Sequence, residues 1–130
     1  MLHCRKGMVA LDSIDVLDAH TLASLRGLDE ADDLLNQLID LFFADAPARM
    51  ARMREAVARA DWAALGDYAH SLKGSCATLG AFRMAELCDW LERHDHTGAA
   101  AGAAVACEEL AMQYERVRAA LERERRRVNG

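Results

Sequence analysis

Apolar residues recur at spacings of three and four along most of the chain, the pattern of helices that bury one stripe of their surface. In the clearest segment the apolar positions step by three and four in turn: Trp62, Leu65, Ala69, Leu72, Cys76 and Leu79. The last long segment shows the same spacing at Cys107, Leu110, Tyr114, Val117 and Leu121. The pattern therefore predicts amphipathic helices that pack on one another.

Capping and breaking residues predict where these helices begin and end. Because Pro47 cannot donate the usual helical hydrogen bond, the second helix is expected to bend or restart around Asp45 and Ala46. Asp61 is a good N-cap for the third helix, and Gly80 supplies a left-handed stop after it. The predicted helices are a short one over about 15–25, one over about 30–60, one over 62–79, one over 82–94 and a last one that follows or begins within the weakly helical segment 95–104.

The remaining predicted core positions lie on the first, second and fourth helices. They are Val16, Leu17, Leu22 and Leu25 on the first, Leu34, Leu35, Leu38, Leu41, Phe42, Met50, Met53 and Val57 on the second, and Met84, Leu87, Cys88 and Leu91 on the fourth. Four long amphipathic elements joined by short turns predict an all-α, antiparallel four-helix bundle, with the short N-terminal helix capping one end. A single proline and few aromatic residues in 130 residues favour helices over a sheet, and this length fits one domain. We expect the bundle over 13–127, with flexible ends at 1–12 and 128–130.

Charge, hydropathy and cysteine usage indicate the cellular compartment of the protein and the kinds of ligand that it can bind. A net charge of −5 gives no general attraction for nucleic acid or anionic lipid, and the basic run 123–127 is predicted to be a solvated helix end. We find no apolar stretch suited to a secretion signal or a membrane span. The four cysteines lack C-x-x-C spacing, and three of them lie at apolar helical positions, as reduced core cysteines do. These features predict a cytoplasmic protein without a zinc site, without nucleic-acid binding and without membrane contact.

One stripe of the third helix carries candidate chemistry beside the core stripe. It consists of Gly66, His70, Lys73, Gly74 and Ala77. Each glycine inside a helix costs about 1 kcal/mol relative to alanine, so two glycines around one histidine call for a reason. We predict that the small residues leave bare surface on which another protein can approach the imidazole.

Glu92, on the fourth helix, is predicted to hydrogen-bond the ring of His70 on the third helix. The tight turn at Gly80 makes the third and fourth helices an antiparallel hairpin, in which residues whose numbers sum to about 162 lie at the same level. Glu92 is then opposite His70, where its carboxylate can accept the Nδ1–H and leave the Nε2 lone pair free as a nucleophile. Lys73, one turn from His70, is predicted to neutralise an anion placed on Nε2.

The same stretch also resembles a known family. The segment "AHSLKGSCATLGA", residues 69–81, is similar to the signature of histidine-containing phosphotransfer (HPt) domains, in which a His-x-Leu-Lys-Gly-Ser core on one helix of a four-helix bundle precedes a Gly-Ala turn. The segments "LIDLFFADAPARMARMREAVARADWAAL" (38–65) and "MAELCDWLE" (84–92) extend the resemblance to about residues 12–121. The chain departs from the family at Cys76, where serine or alanine is frequent, and the motif does not ask for Gly66.

The resemblance implies both the site and the function. It implies that His70 is phosphorylated on Nε2, that Lys73 and Gly74 surround it, and that Glu92 hydrogen-bonds the ring. It further implies a phosphorelay intermediate that accepts a phosphoryl group from a receiver-domain phosphoaspartate and passes it to the aspartate of another receiver. We expect this intermediate to be a monomer. The partners would be receivers of response regulators or of a hybrid sensor histidine kinase, and the receiver would supply Mg²⁺, so that this chain needs no cofactor.

The sequence predicts a carrier and not an enzyme with its own phosphoryl donor. It contains neither a G-x-x-x-x-G-K-[ST] loop nor a kinase-like glycine loop, so we expect no ATP site.

Two other functions stay open from the residues alone. The chain can be a non-catalytic helical adaptor that binds receiver or kinase domains without being phosphorylated. It can also be a metal-binding bundle that uses His94 and His96, although residues two apart on a helix point to different faces. Phosphoryl labelling that depends on His70 separates the carrier from the adaptor. A stoichiometric metal in the purified protein would indicate the metal-binding function.

Overall fold

The described part of the chain folds into helices joined by short turns. The computed structural model describes residues 16–27 and 33–129. The helices are α1 (Ala19–Gly27), α2 (Asp33–Ala58), α3 (Trp62–Thr78), α4 (Phe82–Arg93) and α5 (Ala100–Asn129). Each of the four long helices packs on the next, and α5 closes the bundle by packing on both α2 and α4. The predicted all-α four-helix bundle is confirmed.

The core is formed by the predicted stripes. On α3, Leu65, Ala69, Leu72 and Cys76 are all buried. The five apolar positions predicted on α5 are buried as well. The prediction is wrong at Leu41, whose side chain is 58% exposed while its neighbour Phe42 is buried, because the apolar stripe of α2 is wider than the surface that the core can cover.

Two local features shape the first helices that the structure describes. Asp18 caps α1, which begins at Ala19: the Thr21 amide and hydroxyl both donate to Asp18 Oδ2, at 2.8 and 2.7 Å. α2 runs through Pro47 as the single helix predicted over about 30–60; Pro47 is exposed, while Ala46 and Met50 on either side of it are buried in the core.

Other predicted limits fall close to the observed ones or outside the described residues. α2 ends at Ala58 and α4 at Arg93, within two residues of the predicted ends. Asp61 caps α3 by accepting the Ala64 amide at 3.1 Å, as predicted. Asp15, Glu30, Cys4 and the predicted flexible segment 1–12 lie outside the described residues, and α5 extends to Asn129.

The basic run at the end of α5 is only partly a solvated helix end. Arg125 Nη1 lies 2.5 Å from Asp40 Oδ1 on α2, and Glu124 pairs with Arg26 of α1. These ion pairs join α5 to its neighbours. None of the helices in the described ranges has both the length and the apolar character needed to cross a membrane.

The cysteines in the described residues are buried free thiols, as predicted. Cys76, Cys88 and Cys107 all lie in the core. A hydrogen bond to Cys88, together with burial, raises the pKa of the Cys76 thiol, and burial raises the pKa of Cys107. Cys76 and Cys107 are therefore protonated at neutral pH, and all three cysteines pack in the core.

The short helix α1 caps the end of the bundle where α3 turns into α4. The Asp18 amide donates to the Gly80 carbonyl at 2.9 Å, and Leu17 and Leu22 are buried. Gly80 has a φ of +79°, which confirms the predicted left-handed stop. A Cβ added to Gly80 would lie 3.0 Å from the Asp18 nitrogen and 3.1 Å from Thr21 Cβ. Gly80 therefore serves both as a turn and as the surface on which α1 rests.

We expect Gly80→Ala to destabilise the fold more than Gly98→Ala, a matched control with the same φ of +79° but with nothing within 4 Å of its Cβ position. The left-handed conformation costs either alanine about 1–2 kcal/mol. Displacing α1 should add about 1 kcal/mol or more at Gly80 alone. Urea unfolding of both variants measures the difference, and equal losses would show that α1 does not rest on this glycine.

Candidate functional site

The hairpin of α3 and α4 sets the register of the site. Its turn is tight because the Ala81 amide donates to the Cys76 carbonyl at 2.8 Å, and because Ala81 itself is buried. α4 then starts at Phe82 and runs back along α3, with which it makes the most extensive helix contact in the described part of the chain. His70 and Glu92 consequently lie at the same level.

His70 stands on the open side of this hairpin with one ring nitrogen held. Its side chain is 69% exposed, and its Nδ1 lies 2.8 Å from Glu92 Oε2, the contact that the hairpin register predicts. A carboxylate can only accept, so Nδ1 carries the hydrogen in the neutral ring and the lone pair resides on Nε2. Within residues 16–27 and 33–129 we find no hydrogen-bond partner for Nε2. The arrangement presents a nucleophilic nitrogen to solvent.

Lys73 is paired with two carboxylates on α4. Its Nζ lies 2.7 Å from Glu92 Oε1 and 3.2 Å from Asp89 Oδ1. The second oxygen of Asp89 lies 3.2 Å from Arg93 Nε. His70, Glu92, Lys73, Asp89 and Arg93 thus form one connected polar network, which we call the α3–α4 network.

Two members of this network, Asp89 and Arg93, were not predicted from the sequence. The hairpin register that pairs His70 with Glu92 also pairs Lys73 with Asp89, so the signal was present in the numbering. The predicted role of Lys73, neutralising an anion on Nε2, stays a prediction, because its ammonium lies beside Glu92 and Asp89 in the structure.

The network favours the charged forms of Glu92 and Lys73. The bond from Lys73 and, to a lesser degree, that from His70 lower the pKa of Glu92, while Glu92 and then Asp89 raise the pKa of Lys73. Glu92 is therefore ionised at neutral pH. Since its pKa is lowered on folding, the stabilisation from its bonds is fully present above the ordinary glutamate pKa and is lost as the pH falls through the lowered value.

The small residues predicted to surround His70 separate into two groups. Gly74 and Ala77 are exposed, and a Cβ on Gly74 would meet nothing within 4 Å. Gly66 is half-buried, and a Cβ there would lie 3.8 Å from the backbone oxygen of Glu92. The open surface beside His70 therefore contains Gly74 and Ala77, whereas Gly66 lies against α4.

A groove of about 400 Å³ continues this open surface between α2 and α3. It is lined by Leu38, Leu41, Phe42, Asp45, Ser71, Gly74, Ser75, Thr78 and Leu79. The groove was not predicted from the sequence, because Leu41, an exposed apolar residue of its lining, was expected to lie in the core.

The two histidines of the alternative metal site are not arranged as ligands. His96 is 2% exposed, its Nε2 lies 3.0 Å from the Leu91 carbonyl, and its ring packs on Trp62 and Trp90. His94 Nδ1 instead lies 2.9 Å from the Trp90 carbonyl. Across the described ranges, no group of three or more His, Cys, Asp or Glu side chains is placed to hold a metal ion.

Fold and site together define a class of protein: a helical bundle that exposes one nitrogen of a histidine while a carboxylate fixes the other. Residues 37–122, well over half of the chain, match the family model of the Hpt domain, so the chain belongs to the Hpt domain family. It is therefore a histidine phosphotransfer protein of a phosphorelay, a carrier that works with receiver domains and kinases and is not itself a kinase.

A solved structure supports the same assignment. The crystal structure of histidine-containing phosphotransfer protein B from Pseudomonas aeruginosa PAO1 matches with a TM-score of 0.77 and 32% sequence identity, over 85% of this chain and 95% of that one. Among curated proteins no sequence match is found. The resemblance expected from the sequence is confirmed, and the adaptor alternative gains no support over it.

Proposed function

We propose that His70 Nε2 accepts the phosphoryl group from the phosphoaspartate of one receiver domain and delivers it to the aspartate of another. One observation carries this assignment: the His70 ring is 69% exposed while its Nδ1 is held 2.8 Å from Glu92. In the described residues His20 and His94 are also exposed, but neither lies in ion-pair contact with a carboxylate.

The transfer step uses the free lone pair of the ring. Nε2 attacks the phosphorus in line with the bond to the aspartate oxygen, so that an N–P bond forms as the P–O bond breaks. The electrons of the broken bond stay on the departing carboxylate of the receiver. The Nδ1 hydrogen stays in place, and the ring acquires a positive charge, which the Glu92 carboxylate stabilises. No proton leaves, so the step can run in both directions.

We propose that this chain and the receiver together neutralise the negative charge of the transferring phosphoryl group. Lys73 lies one turn after His70 on α3, and one ammonium does not neutralise a transferring phosphoryl group. We expect the receiver to contribute Mg²⁺ and its acidic pocket, since phosphoryl transfer depends mainly on positioning and charge neutralisation. We further propose that the carrier is cytoplasmic and monomeric and has no ATP site of its own.

We propose that receivers dock on the surface formed by His70, Gly74, Ala77 and the groove between α2 and α3. The groove adjoins the reactive ring through Gly74 and offers an apolar floor with hydroxyl and carboxylate groups at its edge. Leu41, 58% exposed, supplies an apolar contact of the kind that interface centres use.

Substitutions at Gly74 test this surface. We expect Gly74→Leu to fold but to accept phosphate about tenfold or more slowly, because a long side chain in this open space obstructs the receiver. Gly74→Ala is the matched control: it should transfer at a rate close to that of the parent and raise stability by about 0.5–1 kcal/mol. Equal transfer rates for Gly74→Leu and the parent, measured with one phosphorylated receiver, would contradict the docking surface.

A labelling assay tests the function itself. Receiver domains phosphorylated with labelled acetyl phosphate and freed of excess reagent should pass their label to this chain when mixed with it in Mg²⁺. The label should be lost in acid and retained in alkali, as expected for phosphohistidine. Binding of a receiver without transfer of label, across a panel of receivers, would instead establish the adaptor.

A further inference from the structure

We propose that Asp89 is a positioning residue of the transfer reaction: it holds the Lys73 ammonium on the Nδ1 side of the His70 ring and so limits how strongly Lys73 stabilises a phosphoryl group on Nε2. The inference rests on the proposed function of His70. It assigns Asp89 an effect on the equilibrium of the carrier and no contact with the reacting atoms.

The first observation is the position of the ammonium. Lys73 Nζ lies between two carboxylates, 2.7 Å from Glu92 Oε1 and 3.2 Å from Asp89 Oδ1. Glu92 uses its other oxygen to hold His70 Nδ1. Lys73 therefore lies on the edge of the ring that faces α4, while Nε2 lies on the opposite, exposed edge.

The second observation is that Asp89 is itself held. Its Oδ2 lies 3.2 Å from Arg93 Nε, one turn further along α4, which leaves Oδ1 directed at Lys73. Asp89 thus contacts Lys73 through one carboxylate oxygen while its other oxygen is paired with Arg93.

The consequence concerns the energy of the phosphorylated state. A phosphoryl group on Nε2 competes with Asp89 and Glu92 for one ammonium, and Glu92 is also needed at Nδ1. While Asp89 retains Lys73, the N–P bond receives less electrostatic support, and the phosphoryl group passes more readily to a receiver. Removing the Asp89 charge frees Lys73 to turn towards the phosphoryl group.

The test is the equilibrium distribution of label between this chain and one receiver. We expect Asp89→Asn to shift the distribution towards phosphorylated His70 by about two- to fivefold, the effect of one partly exposed ion pair. Asp67→Asn is the matched control: it removes the same charge one turn before His70 on the exposed face of α3, where Asp67 makes no ion pair with Lys73. The change that Asp67→Asn causes in the distribution of label measures the general effect of removing one negative charge, and it should be smaller than the change caused by Asp89→Asn.

A double variant shows whether the effect acts through Lys73. In a Lys73→Met background, Asp89→Asn should shift the distribution no further than Asp67→Asn does, a result that a general change of folding or charge would not produce. Circular dichroism checks that each variant folds.

Three results would overturn the inference: equal shifts for Asp89→Asn and Asp67→Asn, an undiminished effect in the Lys73→Met background, or a shift towards the receiver. Each requires that the parent protein is labelled. A parent that takes no label from any receiver would refute the proposed function instead, and the inference with it.

Discussion

We expect His70→Gln to lose all transfer of phosphate from receivers while keeping the fold. Glutamine lacks a nucleophilic nitrogen, and the side chain at this position is 69% exposed, so that its replacement leaves the core untouched. The acid-labile label on the chain should fall to background. Thermal unfolding should change little, since surface substitutions usually alter stability by less than about 0.5 kcal/mol.

His20→Gln is the control for this experiment. His20 is also exposed but lies on α1, outside the α3–α4 network, so its replacement should leave labelling unchanged. Unchanged labelling of His70→Gln, or loss of label in His20→Gln, would move the acceptor away from His70.

Glu92→Ala should slow transfer on the order of tenfold or more, with the site still usable, because groups that orient an imidazole commonly have effects of this size when removed. The variant loses the acceptor that keeps the hydrogen on Nδ1 and the negative charge that stabilises the phosphorylated ring. Glu92→Gln can keep a neutral oxygen near Nδ1, so its rate should lie between those of Glu92→Ala and the parent. Rapid-quench measurements with one phosphorylated receiver give all three rates.

Glu86→Ala is the matched control on the same helix. Glu86 is exposed on α4 and lies outside the α3–α4 network, so the variant should transfer at the rate of the parent. A parental rate for Glu92→Ala would remove the orienting role of Glu92, even if His70 is the acceptor.

The part of the site that follows from local register could be predicted from the sequence. His70 and Glu92 meet because one tight turn at Gly80 sets the level of every residue on the two helices of the hairpin. The buried stripes of α3 and α5 were predictable for a similar reason, since three-four spacing places their apolar residues on one face. These features depend on short stretches of chain and on few long-range contacts.

Features that depend on how elements compete for space were not predictable. The spacing of the apolar residues predicted that Leu41 lies in the core. The apolar stripe of α2 is wider than the surface that the core covers, so Leu41 instead lines a groove. The carboxylate partners of Lys73 were not predicted: the register places Asp89 at the level of Lys73, but the long lysine side chain also reaches Glu92.

Nuclear magnetic resonance of the phosphorylated protein, labelled with ¹⁵N in its histidines, tests the central claim most directly. We predict one phosphorus bonded to Nε2 of His70, shown by phosphorus–nitrogen coupling, with the hydrogen retained on Nδ1. Phosphorus on another residue, or on Nδ1 of His70, would contradict the account.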